Sequence, residues 1–226
     1  MKRRPNDSLL TDSVLPVDPF HPEASVIGRA AALLARGGVV VYPTACLYGI
    51  AADAGSATAV EKVFALKRRP ADNPLLVLIP GLSDLDRVVR AIPAYARPLL
   101  ELWPGGITIV FEAAGTVPAV LTGGTGKIGV RLPAHPVAMA LVKRFGGPVT
   151  GTSANRSGRP AAARVADLDP DIRRQADAVL DAGPLPGGAG STVVDATQWP
   201  VRLLRQGKVP RRAIEALVGA PLLQTD

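Results

Sequence analysis

The chain has 226 residues, 47% of them hydrophobic, and its 26 Lys and Arg against 19 Asp and Glu give a formal charge of +7. That length and apolar share suit one sizeable α/β domain with a real core, and the charge favours polyanions or anionic ligands. A single cysteine, Cys46, excludes an internal disulfide framework, and with His21 and His135 as the two histidines no zinc-ligand cluster can be assembled.

No apolar run approaches the roughly 18 to 20 residues of a membrane span. Met1-Lys2-Arg3-Arg4 leads into Pro5-Asn6-Asp7-Ser8 rather than an apolar signal core, so a cytoplasmic protein without membrane contact is expected. Residues 1–21, polar and proline-interrupted, read as an extended arm ahead of one domain over 22–226. Apolar spacing from Glu23 to Arg36 predicts an amphipathic helix ended by Gly37-Gly38, followed by a buried strand at Val39–Tyr42 and a loop from Pro43-Thr44. A second helix is predicted from Ser56 to Leu66. Val60, Val63 and Phe64 share its inner face, and Lys67 continues that stripe toward the interior edge.

Pro70 and Asn73-Pro74 end this helix before a buried strand at Leu75–Ile79. Further on, a helix is predicted across Tyr95–Leu102, and strands at Ile107–Phe111 and Lys127–Leu132. A period of two puts Lys127, Gly129 and Arg131 on one wall, two cations about a bare backbone. The remaining expectations are a helix at Pro136–Phe145, short strands at Pro148–Gly151, Ala178–Leu180, Thr192–Val194 and Val201–Leu204, and a closing helix near Arg211–Leu217. Most of the basic run Arg202, Arg205, Lys208, Arg211 and Arg212 reads as a solvated face. The expected architecture is a single α/β domain, a twisted mixed open sheet flanked by helices, with a basic concave face.

Two polar clusters follow buried segments: Lys67-Arg68-Arg69-Pro70 with Asn73-Pro74, and Ser153-Ala154-Asn155-Arg156-Ser157-Gly158. Together they read as halves of one anion site, fixed cations facing a small hydroxyl and amide loop. Each has a plainer explanation too, as charges that complement a helix C-terminus and as turn hydroxyls. Familiar motifs fail nearby. Gly124-Thr125-Gly126-Lys127-Ile128-Gly129 fits GxGxxG but runs from a loop into a strand, and Ile128 follows Lys127 where a P-loop needs Ser or Thr. Gly151-Thr152-Ser153-Ala154-Asn155 approximates a nucleophile elbow, but no histidine follows to act as base. A basic pocket of this kind works by positioning and charge neutralisation, which suits phosphoryl or nucleotidyl transfer.

Tyr42-Pro43-Thr44, Tyr48-Gly49, Lys67-x-Arg69-Pro70, Asn73-Pro74, Trp103-Pro104-Gly105, Arg131 with Pro133, Ser153-Ala154-Asn155-x-Ser157-Gly158, Ser191-Thr192-Val193-Val194-Asp195 and Leu204-Arg205-x-Gly207 occur in an order and spacing that resembles the YrdC/Sua5 family. The likeness runs from about Val39 to Gly207 and is to the short, single-domain form. It implies a threonylcarbamoyl-AMP synthase, a nucleotidyltransferase that makes threonylcarbamoyl-adenylate and pyrophosphate from L-threonine, bicarbonate and ATP with Mg²⁺. A separate transferase would then modify adenosine 37 of tRNA. Carried over by residue, the resemblance implies that Lys67 and Arg69 hold the ATP phosphates and are catalytic. Asn73, Ser153, Asn155 and Arg205 would contact the nucleotide, and Arg131, Ser191 and Cys46 would hold threonine; no residue is implied as a metal ligand. Cys46 stands where members commonly carry the second Thr of Pro-Thr-Glu-Thr, and Leu78 where some carry His. Two other classes stay open: a tRNA- or double-stranded-RNA-binding protein of the same fold without synthase activity, and the related carbamoyl-adenylate chemistry of the much longer hydrogenase-maturation carbamoyltransferases.

Overall fold

A computed structural model describes residues 13–224. The first predicted helix forms over Ala24–Ala35 (α1), and Ile27, Ala30, Ala31 and Leu34, three or four residues apart, are its buried face. Gly37 takes φ +75° just beyond it and donates its N–H to Leu34 O, a left-handed stop that suits glycine. Val40–Pro43 (β2) follows, buried throughout.

After Pro43 the chain does not stay in a loop as expected. It reverses within four residues, tied by Thr44 Oγ1 donating to Leu47 O at 2.6 Å, and Tyr48–Ala51 (β3) runs back antiparallel to β2. Glycine and alanine weaken the strand signal of this segment, but pairing on both of its sides overrides that weak local preference. Its other neighbour is Val149–Ser153 (β7), which opposes Gly49 with Ser153.

The remaining strands are Val14–Pro16 (β1), Leu76–Leu78 (β4), Ile107–Glu112 (β5), Lys127–Arg131 (β6), Ala178–Asp181 (β8), Thr192–Asp195 (β9), Arg202–Arg205 (β10) and Leu223–Gln224 (β11). Among the described residues they form one mixed sheet in the order β1-β8-β2-β3-β7-β4-β6-β5-β9-β10-β11. Part of the segment read as a free arm therefore belongs to the sheet, with Val14 parallel to Val179; residues 1–12 lie outside the described residues. The helix expected at Tyr95–Leu102 is a 3₁₀ helix over Ala94–Leu102, because Pro98 inside it lacks the N–H that an α-helical ladder would use.

Helices lie on both faces. Around β2, Val39 and Val41 enter one core with Ile50, Val60 and Val63, while Val40 and Tyr42 enter the other with Ile27, Leu34 and Leu141. The first core holds Ala57–Lys67 (α2), N-capped by Ser56 Oγ. The second lies under α1 and Pro136–Phe145 (α4), which pack on each other and over β2 and β8. Two shorter helices, Ala119–Thr122 (α3) and Pro170–Gln175 (α5), and Arg211–Val218 (α6) complete the set of α-helices described.

Tyr48 is fully buried, and its hydroxyl donates to Gly183 O at 2.7 Å and accepts from the Ala182 N–H at 3.1 Å. This joins β3 to the segment leaving β8. Tyr48→Phe would leave both backbone groups unpartnered, so the urea midpoint should fall with a loss of about 1–3 kcal/mol; an unchanged midpoint would show that this tie is dispensable.

Candidate active site

Beyond α4, among the described residues, the middle strands carry no helix on the second face of the sheet, and a cleft of about 620 Å³ lies there. Its floor follows the pairing register. Leu76 lies opposite Gly151, Leu78 opposite Arg131, Val110 opposite Gly129, and Val110 and Thr108 face Asp195 and Val193, all of them lining the cleft. Lys127, Gly129 and Arg131 share that wall, as the period of two predicts. A Cβ at Gly151 would press on the Leu76 Cδ1 methyl, and one at Gly129 would lie 3.2 Å from Leu76 Cβ and Thr108 Cγ2. The cleft thus keeps its depth because parts of its floor are bare backbone.

Arg69, Lys127, Arg131, Arg205 and Lys208 line this cleft, against Asp195 as its one carboxylate among the described residues. Lys127 Nζ pairs with Asp195 Oδ2 at 2.9 Å. Burial works to raise the Asp195 carboxyl, but the Thr197 hydroxyl at 2.6 Å, the Thr197 amide at 2.9 Å and Lys127 outweigh it and hold the group below its ordinary value. The other four cations form no ion pair among the described residues.

At one end, Arg69 Nε donates to Asn73 O at 2.9 Å, and its Nη2 to Asn73 Oδ1 at 2.7 Å and Pro74 O at 2.8 Å. The helix ends to make this possible: Arg68 adopts φ +50°, and the Arg69 N–H returns to Phe64 O at 2.9 Å. Asn73 and Ser153 line the cleft beside Arg69. Lys67 and Asn155 do not, contrary to what an open pair of phosphate-binding cations would show. Lys67 is 1% exposed, and its ammonium donates to Ser153 O at 2.5 Å and Asn155 O at 2.7 Å from beneath the Ser153 loop. Burial, and after it the charge of Arg69, pushes the Lys67 ammonium down to about 7.

At the other end, Arg131 is held by one bond, Nε to Gly105 O at 2.9 Å, which leaves its two terminal amino groups for a ligand. Burial lowers its pKa, partly offset by Tyr42 and Cys46 nearby. Arg205 Nη2 donates to Ser191 O at 2.9 Å and lies 3.3 Å from Ser191 Oγ, whose other partner is Thr108 Oγ1 at 2.8 Å. Gly207 makes this close fit possible, since a Cβ there would lie 2.5 Å from Gly190 O and Ser191 O. Cys46 also lines the cleft, its thiol donating to Ala189 O at 3.3 Å.

Sequence reasoning passed over two lining residues. Lys208, taken with its basic neighbours as a solvated face, reaches Ala45 O at 3.5 Å from across the cleft. His135 caps α4, its Nδ1 accepting the Val137 N–H at 3.3 Å, and burial lowers its pKa. The His-Pro pair at a helix start was the available signal. Among the described residues no three His, Cys, Asp or Glu side chains gather to hold a metal ion, and no helix is long and apolar enough to cross a membrane.

Comparison with known proteins bears on the same residues. The threonylcarbamoyl-AMP synthases of Pyrococcus abyssi and Bacillus subtilis are 37% and 35% identical over 191 and 195 residues, 84% and 85% of this chain. The chain spans only 56% of the length of each. The threonylcarbamoyl-AMP synthase of Xanthomonas campestris is 36% identical over 193 residues, 84% of this chain and 99% of its own. The crystal structure of P. abyssi Sua5 complexed with L-threonine superposes with a TM-score of 0.88 at 35% identity, over 93% of this chain and 62% of that one. E. coli YciO gives 0.78 at 25% identity, over 89% and 98%. The family described as telomere recombination, which groups Sua5, YciO and YrdC proteins, matches residues 32–207, a span that contains every cleft-lining side chain from Tyr42 to Arg205; the chain belongs to this family.

Proposed function

We propose that the chain is a threonylcarbamoyl-AMP synthase, a nucleotidyltransferase that joins L-threonine, bicarbonate and ATP and releases pyrophosphate, for modification of adenosine 37 of tRNA by a separate transferase. The observation that carries this reading is one cleft lined by the free-ended Arg131 guanidinium and the Arg205-bound Ser191 as well as by Arg69, Asn73 and Ser153. Its likeness to a P. abyssi Sua5 complexed with L-threonine supports it further.

The terminal amino groups of Arg131 suit a carboxylate in a two-point grip, which would fix threonine. The threonine amine adds to carbon dioxide and loses a proton, or condenses with bicarbonate and releases water, to give a carbamate, and a carbamate oxygen attacks the α-phosphorus of ATP, expelling pyrophosphate. Arg69, already oriented by three bonds, offsets the charge on the phosphates without having to reorganise. No residue becomes covalently modified. The cleft's one carboxylate is engaged by Lys127 and Thr197, so these side chains do not suit a protein-held Mg²⁺; the ion would accompany the nucleotide on its phosphates.

Two substitutions separate the ends of the cleft. Arg69→Ala should cut threonine-dependent pyrophosphate release by about 10²- to 10³-fold. Wild-type turnover would sink the assignment. Arg131→Lys keeps the charge but loses the fork, so KM for threonine should rise about tenfold while KM for ATP holds; pyrophosphate release that is indifferent to which amino acid is supplied would overturn the threonine assignment.

A further inference from the structure

We propose that Lys67 is a positioning residue: its ammonium holds the Ser153–Asn155 loop in the shape that meets the nucleotide, and it does not itself touch the phosphates. The inference rests on the nucleotide-binding part of the functional reading and changes how one end of the site works. An ammonium has three N–H donors and no more. Three acceptors surround this one: Ser153 O at 2.5 Å, Asn155 O at 2.7 Å and Asn155 Oδ1 at 3.4 Å. None remains for a phosphate, and the side chain is walled off from the cleft by the loop it holds.

The same residue grips the loop twice, because the Lys67 carbonyl accepts the Ser157 N–H at 2.9 Å. Side-chain order passes outward from there. Asn155 Oδ1, oriented by Lys67, accepts from the Ser153 hydroxyl, and Ser153 is the member that lines the cleft. The backbone is fixed by the same contacts. A trans peptide points its N–H opposite to its C=O, so drawing the Ser153 carbonyl inward sends the Ala154 N–H to Tyr48 O at 2.8 Å. Drawing the Asn155 carbonyl inward likewise turns the Arg156 N–H away from Lys67. Among the described residues no carboxylate pairs with Lys67, so backbone and amide dipoles alone balance its charge. The loop geometry and the buried cation therefore require each other.

A double-mutant cycle on ATP affinity, measured by calorimetry without threonine, tests this. Lys67→Met keeps the stem and removes every donor, and should weaken ATP binding by about 10- to 100-fold. Asn155→Ala should do the same, and the double variant should be no weaker than the weaker single within about two-fold, because both break one assembly. Fold losses that multiply in the double variant, or an ATP affinity untouched in folded Lys67→Met, would overturn the proposal. In turnover assays KM for ATP should rise while KM for threonine stays within about two-fold, a split that general loosening of the fold would not produce. Lys67→Gln, which keeps two donors on a shorter stem, is carried in parallel and decides the matter if the Met variant does not fold; it should fall between wild type and Asn155→Ala. ATP that fails to bind the wild type overturns this proposal and the functional reading together, whereas ATP binding without threonine-dependent turnover overturns the synthase reading alone.

Discussion

Carbonyl oxygens, rather than carboxylates, hold the cations of this cleft, and the rest of the site depends on that. Arg69 rests on the carbonyls of Asn73 and Pro74, Arg131 on that of Gly105 and Arg205 on that of Ser191; Lys67, outside the cleft beneath the Ser153 loop, follows the same rule with Ser153 and Asn155. A neutral acceptor satisfies an N–H without cancelling its charge, whereas a carboxylate would do both. The cleft is therefore left with positive potential to spend on an anionic ligand, and each cation is already oriented. Lys127 is the exception, and its pairing with Asp195 confines neutral ground to one edge.

This requirement explains why loops supply most of the acceptors, with Ser153 at the end of β7 the one strand residue among them. Carbonyls inside a ladder are taken, while those of Pro74, Gly105 and Ser191 are open to a side-chain donor. Glycine then recurs where two backbones must approach. At Gly207 a side chain would collide with the peptide that Arg205 grips, so the Leu204-Arg205-x-Gly207 motif is one geometric unit: the arginine holds Ser191, and the glycine admits it.

Much of the fold was legible in the chain's periodicity. The alternation about Lys127, Gly129 and Arg131 identified a cleft wall, and the apolar stripe of α2 placed Lys67 at the interior. Neither pattern could say what Lys67 would meet there, because its partners lie 86 and 88 residues away. Tyr48–Ala51 was read as loop for a related reason, since its strand character comes from two neighbours and not from its own side chains. Lys208 was hidden in a run of like charges, of which composition gives a sum and only the turn after β10 distinguishes members.

At the end of the cleft proposed to hold threonine, Cys46 is the residue that departs from the pattern resembled. Cys46 stands where a hydroxyl is common, and its thiol spends its one hydrogen on Ala189 O, while the Cys46 carbonyl accepts the Gly187 N–H at 2.9 Å. Both bonds go to the glycine-rich segment that leads into Ser191, with Gly187 and Gly188 at positive φ. A thiol is the weaker donor of the two, so the segment is held chiefly by the backbone bond and lightly by the side chain. Restoring a hydroxyl would either strengthen that latch or offer a new donor to the ligand, but one hydrogen cannot serve both. In the proposed threonine site, selectivity would thus turn on whether position 46 faces the segment above it or the ligand below, and its thiol faces the segment.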